Sequence, residues 1–361
     1  MYEGWGTAPG GGSPAPRRRT GWIIGGVVGL LVALCICVIA AVLAPVALLR
    51  ITGRATLPGG RQVLPASCGD AIASDGIPKD ATGQFIVQPL YAEALAYAGD
   101  AQGQPASQRA RIWAQDVLTP YPPMNDIFTE AVGGIDQWTS TLQTLDPNAF
   151  RCVVRDMQAA RVTDQALTVL QADAKEVPGP QTRAYLVPWY TTTFGGASQE
   201  QSLLIPYWEA DPLNRLLPRD SSSGWPHVEF ALDHEYLEVA RYDRLGSLGN
   251  AYQTLLDNMV TDGLADQFAA HMTGLAPGTV MSAGQEASLW AQFKPVMNDY
   301  ANPNQSAQML GDPEHGIPSG AGYQIGDHIV AGYLARHPKV TFNQLAGMDA
   351  RTIYEGSGYD G

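Results

Sequence analysis

Phe230-Ala231-Leu232-Asp233-His234-Glu235-Tyr236-Leu237-Glu238-Val239-Ala240-Arg241 is the stretch from which the rest of the chain is read. On a helix, residues four apart share a face, so His234 and Glu238 project the same way, while Glu235 sits about 100° round, beside whatever they hold. Such a turn is a metal site with a base next to it. The pattern His-Glu-x-x-His works by this geometry: two ligands one turn apart, and an adjacent carboxylate that takes a proton from a metal-bound water. Here the second histidine is replaced by Glu238.

Working outward, Ser221-Ser222-Ser223-Gly224-Trp225-Pro226 offers cap residues and a proline suited to a first turn, so the motif helix should begin near Trp225. Before it lie an amphipathic helix, Asp164 to Lys175, and two strand-like runs, Arg183 to Pro188 and Ser202 to Tyr207, on either side of the turn Gly195-Gly196. Together they predict a small sheet ahead of the motif helix. After it, a helix from about Ala251 to Met272 buries Leu255, Leu256, Met259, Leu264 and Phe268 and contains Asp262-Gly263-Leu264-Ala265. Gly322-Tyr323 opens a further helix through Ile329, Val330 and Leu334 that stops near Arg336 to Pro338, and Phe342 to Ile353 gives one more. From Cys68 to Gln158 the pattern is helical but interrupted. Leu90 to Ala98, Ala110 to Leu118 and Ile127 to Leu145 read as helices, with a break at Tyr121-Pro122-Pro123, and no chemical motif appears.

The 361 residues carry 22 Lys+Arg and 35 Asp+Glu; residues 1–61 hold six of the former and one of the latter, so the remainder carries 16 against 34, net −18. Such a body does not attract nucleic acid or anionic lipid by charge. Gly21 to Leu49 is 29 residues without a charge, longer than the roughly 20 needed to cross a bilayer, and reads as one transmembrane helix. The triplet Arg17 to Arg19 before it favours an inside N-terminus and an extracytoplasmic body at the cell membrane. Cys68 and Cys152 are the two cysteines outside the span; a disulfide is expected between them, with two buried thiols as the alternative. The organisation is thus a disordered tail (1–20), a transmembrane helix (21–49), a linker (50–67), a helical cap or spacer (68–162) and a site-bearing domain (163–361).

In order and spacing, these pieces resemble the bacterial predicted zinc-dependent proteases of the YjaZ type, over about Thr163 to Tyr359. The matching features are the helix and strand before Gly195-Gly196, the His234-Glu235 helix with Arg241 after it, Asp262-Gly263-Leu264-Ala265, the Gly322-Tyr323 to Val330 segment and the Leu345 to Tyr359 end. The resemblance implies an α+β, zincin-like metallopeptidase domain of gluzincin type, its small sheet lying over the active-site helix. It carries the first ligand to His234 and the base to Glu235. Glu238 stands where the second histidine should be, and Asp262 where a ligand glutamate should be. Tyr323, with His328, stands where a donor to a tetrahedral oxyanion is wanted.

One imidazole and two carboxylates form a harder, more negative donor set than two imidazoles and one carboxylate. It holds Zn2+ with less preference over Mn2+ or Fe2+, and makes a bound water less acidic. The expectation is therefore a membrane-anchored peptidase acting on a peptide or protein, or else a catalytically degenerate relative that binds or scaffolds at the cell envelope. His227 is about 10.5 Å of helix rise from His234, too far to share one ion, and His271 is similarly remote from Asp262. Asp266, one turn after Asp262, reads as a solvated carboxylate or a support to a ligand, and Asp233 as a helix-surface charge. No phosphate loop or dinucleotide fingerprint occurs.

Overall fold

The computed structural model describes residues 77–130, 139, 142–143, 146–189, 196–207, 225–246, 253–300 and 302–361. The expected tail, membrane helix and linker lie outside them, as does Cys68; Cys152 is disulfide-bonded. Among the described residues no helix is long and apolar enough to cross a membrane.

The order is β1 (Phe85–Pro89), α1 (Tyr91–Asp100), α2 (Ala106–Trp113) running on as a π-helical stretch Ala114–Leu118, α3 (Pro122–Glu130), α4 (Ala149–Ala159) and α5 (Val162–Glu176). Then come β2 (Thr182–Pro188), β3 (Ala197–Gln199), β4 (Ser202–Tyr207) and the motif helix α6 (Trp225–Leu245). The chain ends in α7 (Leu255–Thr273), α8 (Ala283–Phe293), α9 (Gln305–Leu310), α10 (Ala321–Arg336), α11 (Phe342–Leu345) and α12 (Ala350–Ser357).

The strands form one sheet in the order β1-β2-β4-β3, the first three parallel and β3 antiparallel at the edge. Paired residues point to the same side, so the register Val87↔Ala184, Ala184↔Leu203 and Leu203↔Ser198 puts these four on one face. Phe85, on that face, meets the ring of Tyr236 on α6 at 6.0 Å. Tyr185, on the other, meets Tyr121 at 5.5 Å, and Trp189 meets Trp113 at 5.3 Å and Phe150 at 6.0 Å. Both faces are therefore covered, and the strands read as unbroken apolar runs.

This corrects the expected fold class. Among the described residues, the expected α+β zincin-like domain behind a helical region is replaced by a mixed α/β fold, a small sheet among many helices, whose first strand lies inside the region read as helical. The physical reason is the double burial. Phe85-Ile86-Val87-Gln88-Pro89 has no alternation to mark it, and so short an apolar run cannot be told from a helix segment by periodicity. The break expected at Tyr121-Pro122-Pro123 is present: the helical stretch ends at Leu118 and Pro122 opens α3, where a missing N–H leaves no bond unmade.

The C-terminal helices are set by close approach and capping. Thr254 and Asp257 form a reciprocal capping box at the start of α7, which ends on Gly274 at φ 73°. A Cβ on Gly263 of α7 would stand 2.1 Å from the Gly326 carbonyl carbon of α10, and one on Gly326 would stand 1.8 Å from the Met259 oxygen. The two backbones are thus in contact. Buried Arg241 of α6 donates from Nε to Thr261 Oγ1 (3.0 Å) and from Nη1 to the carbonyls of Leu345 (3.2 Å) and Met348 (2.8 Å), tying α6 to α7 beside Asp262 and to the chain end.

Candidate metal centre

His234, Glu235 and Glu238 lie in mid-helix on α6, and Asp262 reaches them from α7. One ligand atom from each of the three α6 residues lies within 4.8 Å of the others. His234 Nε2 is 3.5 Å from Glu238 Oε1 and 4.0 Å from Asp262 Oδ1. Two donors bound at about 2.1 Å to one tetrahedral ion stand about 3.4 Å apart, so these separations suit a shared cation after a small inward movement. The other ring nitrogen, Nδ1, is 2.9 Å from Asp266 Oδ1. A proton on Nδ1 satisfies that contact and leaves the Nε2 lone pair facing the two carboxylates, the tautomer that ligation requires. Asp266 therefore supports the histidine, the second of the two roles open to it in the sequence.

These residues line a cleft of about 710 Å3, which Tyr323 enters from the first turn of α10. Ser198 and Gln199 of β3 form one wall, and Met309 and Leu310 of α9 another. His328 does not line it; its Nδ1 is 2.7 Å from Glu286 Oε1, an oxygen that also accepts from Tyr359. His271 packs its ring against Phe342 at 5.3 Å and His227 does not line the cleft, in keeping with their exclusion on distance.

Crowded acids set the electrostatics. Burial, then the charge of Glu238, pushes both Glu235 and Asp262 well above the ordinary carboxylate range. Burial pulls His234 down, but its hydrogen bonds to Asp266 and Glu238 outweigh that and hold it well above an ordinary imidazole. The negative charge of Asp262, then burial, raises Tyr323 well above a free phenol, so its hydroxyl keeps the proton and can donate. Glu235 Oε2 is buried without a hydrogen-bond partner, and a Cβ on Gly196 would fall 2.7 Å from its Oε1. This glycine is needed for the close approach of the chain over Glu235.

Two contacts were not foreseen from sequence. Ser198 and Tyr242 both donate to Glu238 Oε2, at 2.5 and 2.8 Å. Tyr242 is one turn beyond Glu238 and was in principle visible from helical spacing; Ser198, in a three-residue strand, carried no signal. Asp233, read as a surface charge, is buried and faces buried Asp173 of α5. As carboxylates they leave three buried oxygens, both of Asp173 and Oδ2 of Asp233, without a partner, whereas a protonated carboxyl can donate to the other.

Burial raises both acids, Asp233 to about 8. Each then keeps its proton where the unfolded chain loses it near pH 4, so the stability they contribute is complete below that value and lost as pH rises towards 8. Asp173→Asn, which keeps the shape and donates an N–H, should therefore gain on wild type by about 1–3 kcal/mol at pH 8 and by less at pH 5. Urea midpoints at the two pH values measure this. An equal difference at both would show that the pair does not hold a proton.

No curated protein and no solved structure matches the chain. Residues 215–355, the segment that carries His234, Glu235, Glu238, Asp262 and Tyr323, match the model of a family described as a predicted Zn-dependent protease (DUF2268).

Proposed function

We propose that the cleft is a divalent-metal centre that hydrolyses peptide bonds. The observation that carries this reading is His234 Nε2, oriented by Asp266 through its other nitrogen and flanked by Glu238 and Asp262 at 3.5 and 4.0 Å, beside a buried glutamate oxygen without a partner. The donor set fits a cation. Three acids raised or crowded by one another's charge are relieved by a divalent ion, which also competes with the proton on His234. His234, Glu238 and Asp262 would hold it; the family match favours Zn2+, and the two carboxylates favour tolerance of Mn2+ and Fe2+. Such an ion supplies Lewis acidity and a water of lowered pKa.

The chain's own residues do the rest. Glu235, close to both ligands of α6, accepts the proton of the attacking water and delivers it to the departing amine nitrogen. The Tyr323 hydroxyl, kept protonated by its acidic neighbours, donates to the oxygen that gains charge as the carbonyl becomes tetrahedral. Ser198 and Gln199 on one side of the cleft and Met309 and Leu310 on the other would contact the peptide.

Elemental analysis and calorimetry on the purified chain test the centre. Wild type should take up one divalent ion per chain, and Glu238→Ala should weaken it by more than about 100-fold, beyond the usual cost of losing a supporting contact. Absence of both bound metal and any heat with zinc, manganese or iron(II) would overturn the reading.

A further inference from the structure

A histidine ligand offers one lone pair in a direction set by its ring. A glutamate offers two equivalent oxygens on a stem with three torsions, so it can bind through either oxygen, through both, or swing away. Replacing the second histidine of the motif by Glu238 therefore needs something that chooses. Glu238 is 5% exposed, and its two oxygens have different surroundings. Oε1 faces His234 Nε2 at 3.5 Å. Oε2 accepts from Ser198 Oγ at 2.5 Å and from Tyr242 Oη at 2.8 Å. Each hydroxyl has one proton, and both point at Oε2; the 3.3 Å between the two hydroxyl oxygens is then a packing contact. Ser198 and Tyr242 are themselves buried, and they come from different elements. Tyr242 is on the next turn of α6, whereas Ser198 is brought by the antiparallel pairing of β3, whose register with Leu203 turns it towards α6.

We infer that Ser198 and Tyr242 are positioning residues that occupy Glu238 Oε2 and so hold Glu238 as a one-oxygen ligand in place of the motif's second histidine, an inference that rests on the metal-centre reading. The edge strand thereby takes part in setting the metal geometry without touching the ion. Because both oxygens of a released carboxylate can bind, loss of the hydroxyls changes coordination as well as affinity.

The test uses the full chain with Co2+ as a spectroscopic probe, in wild type, Ser198→Ala, Tyr242→Phe and the double variant. Affinity comes from competition with a chelator, coordination from visible absorption, and fold integrity from the thermal midpoint of the metal-stripped chain. Each single variant is expected to weaken Co2+ about tenfold and the double about 100-fold, the range typical of supports to metal ligands. The visible bands should lose intensity as Oε2 joins the coordination, while the metal-stripped midpoint changes little. A hydroxyl pair that merely satisfies a buried carboxylate would lower the midpoint and leave the spectrum alone, and that result, or wild-type affinity and spectrum in both single variants, would overturn the inference while the metal centre stands. Should one variant fail to fold, the other decides, since the two hydroxyls lie on separate elements. Wild type that takes no Co2+ overturns the metal-centre reading, and this inference with it.

Discussion

Glu235→Gln is expected to leave metal content unchanged and to reduce peptide hydrolysis by about 10²–10⁴-fold or more. The side chain lies beside the two proposed α6 ligands, with the Gly196 backbone packed over it and one oxygen buried without a partner. Glutamine has the same shape, so the packing against Gly196 survives, but its amide cannot take a proton from water. Because Glu235 stands about 100° round the helix from His234 and about 60° from Glu238, removing its charge should not release the ion. Metal content and cleavage of a mixed peptide library, measured on the same preparations, separate the roles. A variant that cleaves as fast as wild type would remove Glu235 from the mechanism; one that loses its metal would make it a ligand.

Gly326→Ala is expected to cost about 3 kcal/mol or more, at the upper end for overpacking and a large share of a typical domain's stability of about 5–15 kcal/mol. The added Cβ would stand 1.8 Å from the Met259 carbonyl oxygen, so backbone must move against backbone, with no flexible side chain to yield. The movement separates α7 from α10, the helices that bring Asp262 and Tyr323 to the cleft, so metal affinity should fall with stability. Gly284→Ala is the control. It lies in α8 with nothing within 4 Å of its Cβ, and alanine there should be neutral or stabilise by up to about 1 kcal/mol. Urea midpoints measure both, and a Gly326→Ala chain as stable as wild type would show that the crossing is looser than described.

Local chemistry was legible where it repeats along the chain. The motif helix covers Trp225–Leu245, the strands at 182–188 and 202–207 lie where β-rich runs stood, and the helices carrying Asp262 and Tyr323 follow their apolar periodicity to within a few residues. The angular relation of His234, Glu235 and Glu238 needed only the helix repeat. Long-range relations were not legible. β1 joins the sheet because it finds a parallel partner in β2, distant in the chain, and nothing within its five residues announces that. Asp266, Asp233 and Ser198 are short polar residues whose part depends on what lies opposite: the His234 ring, Asp173 and Glu238. The sequence by itself determined the donor types and their order on two helices. Only the tertiary structure decided which of each ligand's two polar atoms faces the cleft, because that choice is made by hydrogen bonds between elements distant in the chain, not by local propensity.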